Sequence, residues 1–144
     1  MKIRVITVPP NEEEHIDVYA HEGSDIPKEI EGLLKNKEYM LIGYTEREAV
    51  KLEPSSVICF IAEEGRVIAI AEGARFTVRE TLGELEEHLP DQFIRINRSA
   101  IANIRKIEKF DVSFSGTLGV IFKNGYKDYV SRRNLKKIKE RLGL

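Results

Sequence analysis

The sequence predicts a mostly β protein with a few short helices, folded as an antiparallel architecture, and three observations carry that reading. From Met40 onward, short apolar runs recur with turn residues roughly every eight to twelve positions, the spacing of antiparallel sandwiches and barrels. Glycine stands at the reversals, in Glu64-Gly65, Glu72-Gly73 and Asn124-Gly125, where tight turns need a residue that tolerates positive φ. Between two groups of strands, one helix is marked at both ends: Thr81 with Glu84 is a capping-box signature and Pro90 is a stop.

Along the chain, residues 2–8 and 14–21 read as two short strands, the second in strict alternation, with Pro9-Pro10-Asn11 between them. Ser24 and Asp25 can cap a helix starting near Pro27, whose apolar stripe is Ile26, Ile30, Leu33 and Leu34. This β-β-α segment, residues 1–38, is too small to be stable alone and is expected to pack on the rest of the chain or on a second copy. The remaining residues, 39–144, form the main domain. Strands are expected near 40–45, 48–52, 57–62, 66–71 and 74–79, then the 81–89 helix with Leu82, Leu85 and Leu89 inward, then strands near 93–97, 100–104, 107–114, 118–123 and 126–131. Asn124-Gly125 is the strongest hairpin signal, because both residues tolerate the two positive φ angles of a type I′ turn. A helix from about Asn134 to Leu142 places Leu135, Ile138 and Leu142 on one side and its lysines elsewhere.

Composition sets the outer limits. A chain of 144 residues, 42% apolar and 33% charged, is long enough for one core and too apolar for intrinsic disorder. No apolar run approaches the roughly 18 residues of a membrane span, and the start MKIRVITVPP lacks a signal-peptide h-region, so the cytoplasm is the expected compartment. The one cysteine, Cys59, lies inside the apolar run 57–61 and reads as a buried thiol. Net charge is −1, yet it is polarised: −5 over residues 1–50, −3 over 51–100 and +7 over 101–144. That asymmetry suggests an anionic partner for the C-terminal part.

Catalytic patterns are missing. His15, His21 and His88 are the only histidines, and there is no HExxH, CxxC, EF-hand loop, GxGxxG or GxxxxGK pattern, so neither a metal, a cofactor nor a nucleotide is expected. The acidic runs Glu12-Glu13-Glu14 and Glu84, Glu86, Glu87 form no facing pair for acid–base work and read as solvated surface. Two basic clusters remain, both where loops are expected. In the first, from Arg95 to Asn103, Ile94 and Ile96 point one way and Arg95 and Asn97 the other, with Arg98 and Ser99 at the break. Arg, Asn and Ser there are suited to base edges or phosphates, although Ser99 also suits a strand end that satisfies its own backbone. In the second, Ser131 is a sufficient helix cap, which leaves Arg132 and Arg133 beside a helix N-terminus, an arrangement that favours phosphate.

The segments Val57 to Gly65, Thr81 to Leu89, Phe93 to Ile104 and Tyr129 to Arg133 resemble, in order and spacing, the LytTR family of bacterial DNA-binding domains across roughly residues 40–144. The resemblance implies an elongated all-β fold that inserts loop side chains into successive major grooves of double-stranded DNA. It also implies a small stand-alone regulator without a receiver domain, of the kind that often accompanies a restraining membrane protein. Carried across position by position, the turn at Glu64, Gly65 and Arg66 matches the first contact loop, with Arg66 its best candidate. Asn97, Arg98 and Ser99 match the second, where many relatives read His-Arg-Ser and Asn97 replaces the histidine. Arg133 matches the third contact, with Arg132 as a phosphate neighbour.

A sequence-specific transcriptional regulator acting without catalysis is therefore the leading expectation, as a homodimer held by residues 1–38. The alternative is a non-catalytic protein-interaction module on the same fold, docking through the acidic N-terminal half, to which the near-neutral pI of about 6.3 gives weight.

Overall fold

The apolar run at 57–61 fits a strand covered on both faces, and the fold is arranged around it. The computed structural model describes residues 1–112 and 117–143. Its elements are α1 (Ile26–Glu38), β1 (Leu41–Tyr44), β2 (Ala49–Leu52), β3 (Val57–Glu63), β4 (Arg66–Ala71), β5 (Ala74–Val78), α2 (Leu82–His88), β6 (Phe93–Asn97), β7 (Ala100–Asn103), β8 (Ile107–Asp111), β9 (Leu118–Phe122), β10 (Lys127–Val130) and α3 (Arg132–Leu142). Seven strands form one sheet in the order β2-β1-β5-β4-β3-β7-β6, and three form a second in the order β10-β9-β8. Every pairing is antiparallel.

β3 is flanked by β4 and β7 and is buried from Val57 to Ile61. A register shift between Val57 and Cys59 divides its side chains between two cores. Val57 and Phe60 join Leu82, Leu85 and Leu89, which puts α2 on one face of the large sheet. Ile58, Cys59 and Ile61 join Val120, Phe122 and Ile138, which puts the small sheet and α3 on the other. The capping box of α2 forms as expected: the Glu84 amide donates to Thr81 Oγ1 at 3.1 Å, and the Thr81 amide donates to Glu84 Oε1 at 3.4 Å. One glycine is required for space, since a Cβ on Gly43 of β1 would lie 2.6 Å from Leu52 Cδ1 and 2.7 Å from Phe76 Cβ.

The structure corrects several expectations. Residues 2–8 and 14–21 form no strands, so the N-terminal β-β-α segment is reduced to α1 and an exposed lead-in. The alternation of the second is real, but a lone pair of short strands is marginal without a surface to cover, and among the described residues neither segment joins a sheet. The type I′ turn is found at Glu64 and Gly65, with φ of 52° and 76°, where Glu63 pairs directly with Arg66. At Asn124-Gly125 only Gly125 has positive φ, and the loop has three residues. The Gly125 amide donates to Phe122 O, the Phe122 amide donates to Tyr126 O, and Asn124 Oδ1 accepts from the Tyr126 amide. That is the turn-plus-glycine-bulge solution to the same reversal. β7 stops at Asn103 because its side chain accepts from the Arg105 amide and caps a single 3-10 turn. α3 starts at Arg132, two residues earlier than expected. Residues 113 and 114, the end of the strand expected over 107–114, lie outside the described residues.

Ile94 and Ile96 share the core under the small sheet, while Ile101 faces α2. Replacing Ile96, which has no exposed surface, by Ala is expected to cost about 2–5 kcal/mol. The half-buried Ile104 should cost clearly less. Urea denaturation of the two variants checks the order.

Candidate nucleic-acid interface

Two hairpin turns and one helix start meet at one end of the large sheet. β3 and β7 run antiparallel with Ile61 opposite Ala100, and the Ala62 amide donates to Ser99 O at 2.8 Å. The β3–β4 turn and the β6–β7 turn therefore lie side by side. The third segment is tied in from the small sheet, where the Ser131 amide donates to Ile96 O at 2.8 Å. These bonds bring together Arg66, Arg98, Ser99, Arg132 and Arg133, all of them exposed. Among the described residues, no ion pair engages Arg66, Arg98 or Arg133. Arg66 stands directly across from Glu63 and next to the Glu64-Gly65 turn. α3 begins without a side-chain cap, because Ser131 Oγ instead accepts from Asn134 Nδ2 at 2.8 Å.

Asn97 is the exception among the sequence-derived candidates. Expected to contact DNA, it is 2% exposed and its amide is engaged inside the protein. Nδ2 donates to Asp128 Oδ1 and to Tyr129 O, both at 2.9 Å, and Oδ1 accepts from the Ser99 amide at 2.8 Å. Burying an amide is tolerable because its polar groups are matched in this way. Asn97 thus joins the 98–99 turn to the strand that leads into α3. It positions the neighbouring side chains and offers no surface of its own.

Arg95 does the same from the other side. Its Nε donates to Asn97 O at 2.9 Å and its Nη2 to Arg98 O at 2.6 Å, while Nη1 meets Glu86 Oε2 of α2 at 2.9 Å. A guanidinium suits this place because its planar fork presents several donors in fixed directions. Arg95 fell within the first basic cluster, but nothing in the sequence pairs it with a glutamate nine residues earlier. Asp128 gave no sequence signal at all. Burial raises its carboxyl above the ordinary range, while the Tyr129 amide and the Asn97 side chain oppose the rise. Both of those donors fall on the same oxygen, Oδ1.

Burial pushes the Cys59 thiol up to about 12, with Asp128 adding to the shift and Arg75 opposing it, so it stays protonated and unreactive. Asn103, also buried, donates to Val57 O and is structural. Among the described residues, no cluster of three His, Cys, Asp or Glu could hold a metal ion, and no helix is long and apolar enough to cross a membrane.

Residues 47–143 match the family model of the LytTr DNA-binding domain. The chain belongs to the LytTR family. It is 34% identical over 146 aligned positions to uncharacterized HTH-type transcriptional regulators of Staphylococcus aureus, among them those of strains MSSA476 and NCTC 8325, and the alignment covers 100% of this chain and 99% of each relative. A solved LytTr DNA-binding domain from Bacillus cereus superposes with a TM-score of 0.71 at 26% identity, covering 74% of this chain and 99% of that one. The mostly antiparallel architecture is thus the LytTR fold. The family match begins at residue 47 and includes all three basic segments, whereas the S. aureus relatives align over the N-terminal segment too.

Two outcomes are expected from the bracing residues. Arg95→Ala should lower DNA affinity about tenfold, as two charge-assisted hydrogen bonds to the turn are lost, while leaving the slope of log K against log salt unchanged, because Glu86 already neutralises this arginine. Fluorescence anisotropy across a salt series reads both quantities. Asp128→Asn keeps an oxygen for both donors and removes a carboxylate whose folded pKa is raised. The raised value means the folded state holds its proton more tightly, so the wild type loses stability as pH rises through the carboxylate range. The variant should accordingly be more stable than wild type near pH 7, with the gap closing below about pH 4. Melting curves at the two pH values check the sign.

Proposed function

We propose that this LytTR chain regulates transcription in the cytoplasm by inserting the exposed arginines of its sheet-end turns into the major groove of double-stranded DNA, without catalysis. Support comes chiefly from one observation: Arg98 and Arg133, carried by separate elements, are fixed at one end of the sheet by the Asn97 and Ile96 hydrogen bonds, while their guanidinium groups have no ion-pair partner among the described residues. A guanidinium held in this way can make two parallel bonds to guanine O6 and N7, or to a phosphate. Ser99 and Arg132 flank the two reading positions and are suited to phosphate oxygens, and Arg66 extends the same edge.

Among the described residues, strands separate α1 from α2 and α2 from α3, so no two α-helices are consecutive. A recognition helix following a tight turn is therefore not what this architecture offers, and the turns are the better reading elements. The +7 charge of residues 101–144 favours DNA as partner despite the overall balance. Homodimerisation would place two such edges on one face of the duplex and match a paired site. A membrane protein that restrains the regulator, as the family resemblance implies, would act on the surfaces left open by this arrangement.

Arg98→Ala and Arg133→Ala should each cost about 1–3 kcal/mol in binding to a specific site, relax preference at one base position, and leave the melting temperature unchanged. Mobility shift with the DNA upstream of the chain's own gene, followed by anisotropy from low to high salt, tests this. Affinity that is indifferent to salt, or unchanged in both variants, would favour a protein-interaction module instead.

A further inference from the structure

Most of the exposed large apolar side chains lie in the first 40 residues. Met1, Ile3, Val5, Ile6, Ile16, Val18, Tyr19, Leu33, Leu34 and Met40 are all exposed, and only Val112 and Tyr129 join them from the rest of the described chain. Ile3 is 89% exposed, Val5 88%, Ile16 62% and Tyr19 95%. The same segment is nearly bare of backbone pairing: among the described residues, 1–20 make one backbone hydrogen bond, from the Glu12 amide to Pro9 O. Solvent-facing hydrophobes gathered in one stretch, on backbone with free donors and acceptors, mark an interaction surface.

Charge identifies the partner. Residues 1–8 carry Lys2 and Arg4 and no acid, whereas residues 12–22 carry Glu12, Glu13, Glu14, Asp17 and Glu22 and no lysine or arginine. Each arm is complementary to the other, so the segment as a whole is complementary to itself, which is what a two-fold interface demands. Strand periodicity agrees: Ile3 and Val5 fall on one side of the first arm and Ile16 and Val18 on one side of the second, leaving Lys2 and Arg4 on the other side of the first and Asp17, next to the acidic run Glu12 to Glu14, on the other side of the second. In the monomer, the two arms turn back at Pro9 without pairing with each other.

We propose that residues 2–8 of one copy pair in antiparallel fashion with residues 14–21 of a second copy, and the reverse, so that the two β-arms are exchanged across a two-fold axis. This specifies how the dimer invoked in the proposed function is held, and rests on that part of the reading. The fifteen residues of the arms, together with the exposed Leu33, Leu34 and Met40, approach the roughly 20 residues a side of a standard interface.

A charge-swap mixing experiment tests the exchange. One full-length variant carries K2E and R4E, making both arms acidic, and another carries E13K, E14K and D17K, which turns residues 12–22 net basic like the first arm. Light scattering at tens of micromolar should show the wild type as a dimer. Each variant alone should dimerise about tenfold or more weakly, since like charges then oppose one another, and an equimolar mixture should recover dimers containing one copy of each. Pairing of the arms within one chain cannot be rescued by mixing. A monomeric wild type, variants that dimerise normally, or a mixture that stays monomeric would each overturn the proposal. The assay contains no DNA, and the K2E/R4E variant should still bind a single site, so failure here is distinct from failure of the DNA reading.

Discussion

Asn97 joins two parts of the molecule that the chain builds 31 residues apart, and the position of the basic edge depends on that junction. Its side-chain amide reaches Asp128 and the carbonyl of Tyr129 on β10, while its oxygen holds the Ser99 amide of the turn beside it. With the Ser131 amide bonded to Ile96 O, the end of β6 and the end of β10 become one rigid piece. An amide buried to 2% exposure is costly unless matched, so these bonds hold the geometry as strongly as they hold the fold. The arginines on either side are positioned by a residue that is itself buried.

Around this junction the packing is divided in two by β3. The register shift at its start sends Val57 and Phe60 towards α2 and Cys59 and Ile61 towards the small sheet, so a single strand supplies both cores. α2 then does more than cover a face. Through Glu86 it holds Arg95, whose other two donors grip the carbonyls of Asn97 and Arg98. The turn carrying Arg98 is therefore braced from both layers, by α2 on one side and by β10 on the other. On the proposed reading, a turn held in this way loses little conformational entropy on binding, which is the physical advantage of a turn on a rigid sheet over a long flexible loop.

The N-terminal segment stands in contrast. The β1–β5 pairing nearest to it is thin, with Tyr44 and Thr77 as its register pair, and Tyr39, the C-cap of α1, ties that end of the helix to the body. Tyr39 stacks on His88 at 5.0 Å between ring centroids and donates to Glu80 Oε1 at 3.0 Å. Ahead of it the chain leaves most of its large hydrophobes exposed, and the S. aureus relatives extend over the same stretch. Under the proposed arm exchange, such a segment couples assembly to DNA binding without any change in the LytTR domain itself.

Local signals determined most of the elements. The alternation and glycine spacing from Met40 onward placed the strands to within a few residues, and the Thr81–Glu84 pair placed α2, because strand periodicity and helix capping are properties of neighbouring residues. The exposed positions of Arg66, Arg98, Ser99, Arg132 and Arg133 were legible for the same reason. Other features depend on contacts between residues far apart in the chain. The sequence could show Asn97 beside Arg98, but its burial was settled by Asp128 and Tyr129, and the role of Arg95 by Glu86. The strands expected at 2–8 and 14–21 have strand-like composition, the second in strict alternation, and still do not form in the single chain, since a strand exists only when another edge satisfies its backbone. Periodicity describes what a segment can bury, and only the tertiary structure decides whether a partner is there to bury it.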